Sequence, residues 1–310
     1  MLPMGFIGFN SNATAMNSIV LPFITLGFLA GLAQPVSERA LPIFTDESPL
    51  HAATVDLELH VATAGMPLHV ATAEWGQIGH YTTGRVAKEY LDPAAWARIQ
   101  EILDGDSFEE ATVYMDDVRS DDAYDSYADW HWVTIPDGMT YDQTEKNPNG
   151  DILAGIRQLT AELKAGGLTP ELEREKLKFL MHLIGDIHMP LHVGTGEDMG
   201  GNQVRVTWFR ETSNLHRVWD SDMINSRQMS YSELAEALGS VDASTIAQWQ
   251  AATPEDWAME SMSYRDQVYD IPEDNRLGYE YRYKNFDLVR LRLLQAGIRM
   301  AGVLNEIYAR

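Results

Sequence analysis

Five histidines and three aspartates recur down this chain at spacings that suit metal coordination: His80, Asp116, His131, His182, Asp186, His192, His216 and Asp220. Two blocks, His182-Leu-Ile-Gly-Asp186 and His216-Arg-Val-Trp-Asp220, have the form H-x3-D. On a helix an i,i+4 pair stands on one face about one turn apart, so an imidazole nitrogen and a carboxylate oxygen can reach one ion. Imidazole with carboxylate suits a divalent ion such as zinc. The chain has nine histidines and no Cys, so histidine is concentrated where ligands are needed and thiolate sites are excluded. Singly, each block has a plainer reading: an isolated H-x3-D is commonly a solvated ion pair, and a lone His80 or His131 is a core or surface residue. Together they read as a metal cluster. Arg119, three residues after Asp116, then changes meaning, because a guanidinium beside a metal cleft matches phosphate oxygens bidentately. Asn202 suits a turn or a substrate contact equally. His188, two residues past Asp186, points to another face and is read as a supporting or surface residue.

The elements that must carry these residues read as mostly helical from Trp75 onward. Residues 78–90 are amphipathic and end at Leu91-Asp92-Pro93, and Pro93 can open the next helix, through about Leu103. Residues 116–119 lie near a helix that follows an acidic turn, and 136–150 form a long polar loop, expected at a cleft rim. Residues 151–164 and 170–187 are helices. Pro190 has no amide donor, so the second should break near Met189 and free His192 to face a different ion from His182. Gly200-Gly201-Asn202 turns into a short strand or ribbon marked by Val204, Val206 and Trp208. Ser213 or Asn214 can cap the helix bearing His216 and Asp220. Phe286, Val289, Leu293, Ala296, Met300, Val303 and Ile307 give one apolar face to a last helix ending near Tyr308, which holds no His and reads as scaffold.

The blocks Trp75-Gly-x-x-Gly-His80, Asp116-x-x-Arg119, His131-Trp132, His182-x3-Asp186-x3-Pro190-Leu-His192, Gly200-Gly-Asn202 and Asn214-Leu-His216-x-Val-Trp-Asp220 occur in this order. From Trp75 to the C-terminus the chain resembles the zinc-dependent single-strand nuclease and 3′-nucleotidase family, which shares its fold with bacterial zinc phospholipase C. The resemblance implies an all-α protein, a single helical domain over residues 75–310 with a short β ribbon, holding three zinc ions at the bottom of a cleft. It assigns Asp116, His131, His182 and Asp186 to one ion, and His192, His216 and Asp220 to a second. The third takes the Trp75 main-chain nitrogen and oxygen, His80 and Asp186, so Asp186 bridges. It further implies a zinc-activated hydroxide attacking phosphorus in line with the 3′ oxygen and leaving 5′-phosphate products. Asp116 would orient the attacking water and Arg119 would hold the non-bridging oxygens. The substrates implied are RNA, single-stranded DNA and 3′-nucleotides.

A zinc phospholipase C is the alternative on the same fold. In that branch the last block tends to end in Glu and the Trp-to-His gap is longer, so Asp220 and the short Trp75–His80 spacing favour the nuclease. A non-catalytic metal-binding protein is a third reading, disfavoured by the full ligand set and Arg119. Thr134 stands where fungal and plant relatives tend to place an acidic residue that recognises the base, so base preference does not carry over.

Composition bounds these readings. The formal charge of −23 over 310 residues argues against a long basic groove for duplex DNA. Divalent ions would add positive charge locally, where phosphate must bind, and short or single-stranded substrates remain compatible. No linker interrupts residues 75–310, and a monomer without a stable protein partner is expected. Before them, Ile19–Ala33 is apolar but short of the ~20 residues of a membrane span, and it reads as the core of a secretory signal without preceding Lys or Arg. Gly31-Leu-Ala33 and Ala71-Thr-Ala73 are candidate cleavage sites, and LHVATA occurs twice between them. Met1–Glu74 is therefore expected to be a signal or leader segment, with His51, His60 and His69 not ligands, and the protein exported, periplasmic or secreted. Cleavage after Ala73 would leave Glu74 ahead of Trp75.

Overall fold

Prolines and short polar side chains set where the principal helices begin in the computed structural model, which describes residues 75–309. The expected leader, with His51, His60 and His69, lies outside the described residues. Among the described residues, eight α-helices of eight residues or more follow in order: α1 (Gln77–Glu89), α2 (Pro93–Leu103), α3 (Ile152–Ala165), α4 (Pro170–Asp186), α5 (Tyr231–Leu238), α6 (Ala243–Ala251), α7 (Pro254–Ser263) and α8 (Tyr279–Tyr308). Pro93, Pro170 and Pro254 open α2, α4 and α7, where a missing amide donor costs nothing. The side chains of Asp151, Thr169, Ser230 and Thr253 accept from backbone amides of the first turns of α3, α4, α5 and α7. The all-α reading holds, and no described helix is long and apolar enough to cross a membrane.

Two large apolar clusters, with a small third of Val86, Ala235, Leu294 and Ile298, make the core. Ile99, Leu153, Ile156, Phe179, Leu180 and Leu183 form one with the late turns of α8 through Met300, Leu304 and Ile307. Trp75, Trp208, Trp219 and Met223 form the other with its early turns, through Leu288, Val289 and Leu293. At 30 residues, about 45 Å, α8 is thus a spine shared by both. The chain leaving α4 crosses from the first cluster at Ile187 to the second at Met189 and Leu191. Its ligand-type residues therefore fall on the seam. From Phe179 to Asp186 every residue of α4 is buried, so its two polar side chains there point into protein, not water.

Two small sheets complete the frame. A parallel pair joins β1 (Val133–Thr134) to β2 (Val193–Gly194), with Val133 opposite Val193. The expected ribbon is β3 (Arg205–Trp208) with β4 (Glu211–Asn214), and β5 (Arg276–Leu277) adds to it in parallel. Two sequence expectations need correction. The polar loop at 136–150 does not line the cleft described below: Tyr141 packs into the first cluster, and its hydroxyl donates to Asp151 at 2.9 Å. Residues 215–222 form one α turn, Leu215–Arg217, and then a wider π turn, Val218–Asp222. Trp219 is fully buried there and donates to the Tyr281 hydroxyl at 2.7 Å, so core packing overrides the regular helical period.

Candidate metal centre

Six separate pieces of backbone bring the ligand-type residues together. His80 lies on α1, and His182 and Asp186 on successive turns of α4. His131 closes a 3-10 segment, Asp122–His131, and His192 closes the turn Pro190–His192 that follows the break at Pro190. The β1–β2 pairing brings the two segments together, with His131 two residues and His192 one residue ahead of its strand. Asp116 sits on the short helix Tyr114–Asp117. Two glycines permit the approach: a Cβ on Gly185 would meet the His80 ring at 2.9 Å, and one on Gly200 would meet the Leu191 carbonyl at 2.3 Å. Gly200 also adopts φ +60°, which only glycine takes without strain. Its carbonyl accepts from His216 Nδ1 at 2.7 Å.

Asp186 is the hub. Its Oδ2 lies 3.0 Å from both His131 Nδ1 and His182 Nε2, and those nitrogens are 3.1 Å apart. Asp116 Oδ1, buried and accepting no hydrogen bond, lies 3.7 Å from His182 Nε2. Ligand atoms about 2.0–2.1 Å from a tetrahedral zinc stand roughly 3.3 Å from one another, so these four donors fit one ion. The other oxygen, Oδ1, lies 3.2 Å from His80 Nε2 and 3.5 Å from His192 Nδ1. Donor atoms of His192, His216 and Asp220 form a further group within 4.8 Å of one another. Proximity alone also groups His80 with His182. The Nδ1 of His182, however, donates to the Thr112 carbonyl at 2.8 Å, which leaves Nε2 as its single donor atom, within the Asp116–His131 set. Burial alone would raise the Asp186 carboxyl. The imidazoles of His182 and His192, with hydrogen bonds from His131 and His182, hold it well below the usual carboxylate range.

The remaining sequence candidates sit around this floor. Trp75 is fully buried among Trp219, Met223 and Leu293, and the Gly76 amide donates to the Asp220 carbonyl at 2.9 Å. Arg119 is exposed on the turn after Asp116 and lines a small cavity with His131 and Tyr124. Asn202 lines a cleft of about 190 Å³ with His131, His192 and His216, and its amide donates to the Met199 carbonyl. His188 is not at the surface: it is buried beyond Asp186, held by Arg299 and by the Ile184 carbonyl. Trp132, Leu191 and Met199 supply the cleft's apolar wall. Trp132 was visible in the His131-Trp132 block without a role, whereas Arg265 carried no signal. Arg265 is buried, donates to the Val193 carbonyl at 2.9 Å and pairs with Asp137, fixing the strand that follows His192.

Buried imidazoles and carboxylates at ligand-to-ligand distances, on a helical frame beside an open cleft, are the chemistry of a candidate metal centre. Comparison with known proteins narrows the class. The S1/P1 Nuclease family model matches residues 75–309, and the chain belongs to that family. It is 30% identical over 272 residues to Endonuclease 4 of Arabidopsis thaliana, covering 76% of this chain and 89% of that protein. It is 26% identical over 268 residues to Nuclease P1 of Penicillium citrinum, covering 76% and 98%. To Nuclease S1 of Aspergillus oryzae it is 30% identical over 167 residues, covering 51% of this chain and 57% of that one. Zinc dependence goes with the family, and the three donor groups fit it.

Proposed function

We propose that residues 75–310 form a zinc-dependent phosphodiesterase that cleaves RNA and single-stranded DNA, and removes phosphate from 3′-nucleotides, leaving 5′-phosphate products. The observation that carries this reading is the placement of Asp186, whose two oxygens face different donor groups beneath one cleft. Three ions are assigned: one to Asp116, His131, His182 and Asp186, one to His192, His216 and Asp220, and one to His80, Asp186 and the Trp75 main chain. Bound zinc supplies Lewis-acid charge to phosphate oxygens and lowers the pKa of bound water to about 7. Asp116, partly exposed beside His182, orients the attacking water. Arg119, on the neighbouring cavity that shares His131, holds the non-bridging oxygens, Trp132 offers a face for a base, and Asn202 contacts the strand.

A substrate panel tests the class. Zinc-loaded protein should hold about three zinc ions, cleave RNA and single-stranded DNA, and lose activity to a chelator. Phosphatidylcholine, the substrate of the alternative phospholipase C reading, should remain intact. Active protein without transition metal, or cleavage of the lipid alone, would overturn the assignment. Arg119→Ala should keep the zinc and lower kcat about a hundredfold, because its role is on the developing charge. Loss of zinc in that variant would place it among the ligand supports instead.

We also propose that Met1–Glu74 is a leader removed on export. The support is that the family match begins at Trp75 and that Trp75 is itself buried. A peptide nitrogen is planar and a poor ligand, whereas a free amine can fill a zinc site. A chain beginning at Trp75 should therefore hold its third ion more tightly than one beginning at Glu74. Zinc titration of the two chains with verified N-termini checks this, and equal affinity would remove the amine from the site.

A further inference from the structure

Outside the metal cleft, arginine and aromatic side chains collect in a second groove. It has a volume of about 490 Å³ and is formed by the early turns of α8, the segment leading into α5, and α5 itself. Its walls carry Arg227, Arg282, Arg290, Tyr279, Tyr283 and Phe286, and it shares no residue with the cleft over the metal centre. In a chain of net charge −23, its charged lining residues are these three arginines and Asp287. Asp287 lies 3.6 Å from Arg290 and is itself 90% exposed. Among the described residues no carboxylate pairs with Arg227 or Arg282.

The Arg227 and Arg282 guanidiniums are held in place by neutral partners, and of the three only Arg290 has a carboxylate nearby among the described residues. Arg282 donates to the Ser226 carbonyl and hydroxyl, both at 3.1 Å, and lies over the rings of Tyr279 and Phe209 at 5.2 and 5.8 Å. Arg227 lies 4.9 Å over Phe286, and Arg290 donates to the Ala237 carbonyl. Tyr279 and Tyr283, four residues apart and so on one helical face, are 73% and 87% exposed. Tyr279 keeps an edge-to-face contact with Phe209 at 4.8 Å, whereas no core packing accounts for Tyr283. Guanidiniums fixed beside open aromatic faces match a ligand that offers phosphate and an unstacked base together. A duplex keeps its base faces covered, so a single strand fits this chemistry better.

We propose that the groove is a second binding site for single-stranded nucleic acid, with strand phosphates on Arg227, Arg282 and Arg290 and bases against Tyr279 and Tyr283. A polymer would then be held at two places, and a dinucleotide only at the metal centre. This rests on reading the molecule as a nuclease. The test is the Arg227→Ala/Tyr283→Ala double variant, zinc-loaded, assayed on a thymidine dinucleotide and on a single strand of roughly 30 nucleotides. KM for the long strand should rise about tenfold, as expected for one lost stacking contact and one lost phosphate contact. Its kcat and both constants for the dinucleotide should stay at wild-type values. Fluorescence anisotropy with an uncleavable, fully phosphorothioate strand should show the same tenfold weakening, with the salt slope of binding reduced by about one. Tyr283→Phe, which keeps the ring, should bind as the wild type does. Unchanged KM and affinity in the double variant overturn the proposal, as does an equal loss on the dinucleotide. Wild-type protein that binds the strand through the groove yet cleaves nothing would instead sink the nuclease reading and leave this site standing.

Discussion

Asp186→Asn is expected to lower kcat/KM by about a thousandfold or more and to release more than one zinc ion, a larger effect than His80→Ala. The carboxylate is fully buried, and its oxygens are divided: Oδ2 stands 3.0 Å from His131 and His182, and Oδ1 stands 3.2 Å from His80. An asparagine keeps one carbonyl oxygen and turns an NH₂ toward the other side, where two N–H groups cannot act as ligands. Whichever way the amide sits, one ion loses a ligand and both lose shared negative charge. His80→Ala removes a donor from one side only. Elemental zinc analysis beside steady-state kinetics on a single-stranded oligonucleotide checks the order. Equal and small losses in the two variants would show that the carboxylate does not bridge.

How far such a centre can be read from sequence depends on whether its geometry is local. The H-x3-D of α4 was legible because four residues of regular helix do put His182 and Asp186 on one face, and Pro190 marks where the chain must turn. The second H-x3-D has the same spacing on a different backbone, because buried Trp219 and its bond to Tyr281 widen the turn. Strands β1 and β2 are two residues each, too short for any period to register, and their pairing joins positions 133 and 193. Helix α6 buries no residue fully and packs through Ile246 and Trp249, too few positions for a period to register. Helices α5 and α7 did leave local marks in Ser230-x-x-Glu233 and Thr253-Pro254-x-Asp256, where both halves of a capping box form. The last helix was read as scaffold from its apolar face, but two of its arginines, Arg292 and Arg299, point inward, a feature that hydrophobic periodicity cannot register.

Those arginines carry the second large effect: Arg292→Met should destabilise the zinc-loaded protein by about 3–5 kcal/mol. Arg292 is fully buried on α8, and burial pushes its guanidinium down to about 10, still protonated at neutral pH. Its Nε donates to the His188 carbonyl at 3.0 Å, and Nη2 to Ser261 Oγ at 2.7 Å and the Trp257 carbonyl at 3.2 Å. Its Nη1 donates to Glu260 and Gln295, both at 2.7 Å. Ser261 passes the contact on to the Ile187 carbonyl at 2.7 Å, and His188 Nδ1 donates to the Ile184 carbonyl. The carbonyls that end α4 are thus held from α7 and α8, immediately after Asp186 and just ahead of His192. Methionine fills much of the volume but supplies no donor, so the His188 and Trp257 carbonyls would lose a partner in a place water does not reach. Lysine keeps the charge without the planar fork and should recover part of the loss. Arg157→Met, at a half-exposed arginine paired with Glu255, is the control and should cost about 1 kcal/mol or less. Urea unfolding of the three variants separates these outcomes, and zinc titration reads the coupling, since the turn from Asp186 to His192 must hold its shape to bind. An Arg292→Met midpoint equal to the wild type's would mean that α8 carries the metal helix by apolar packing alone.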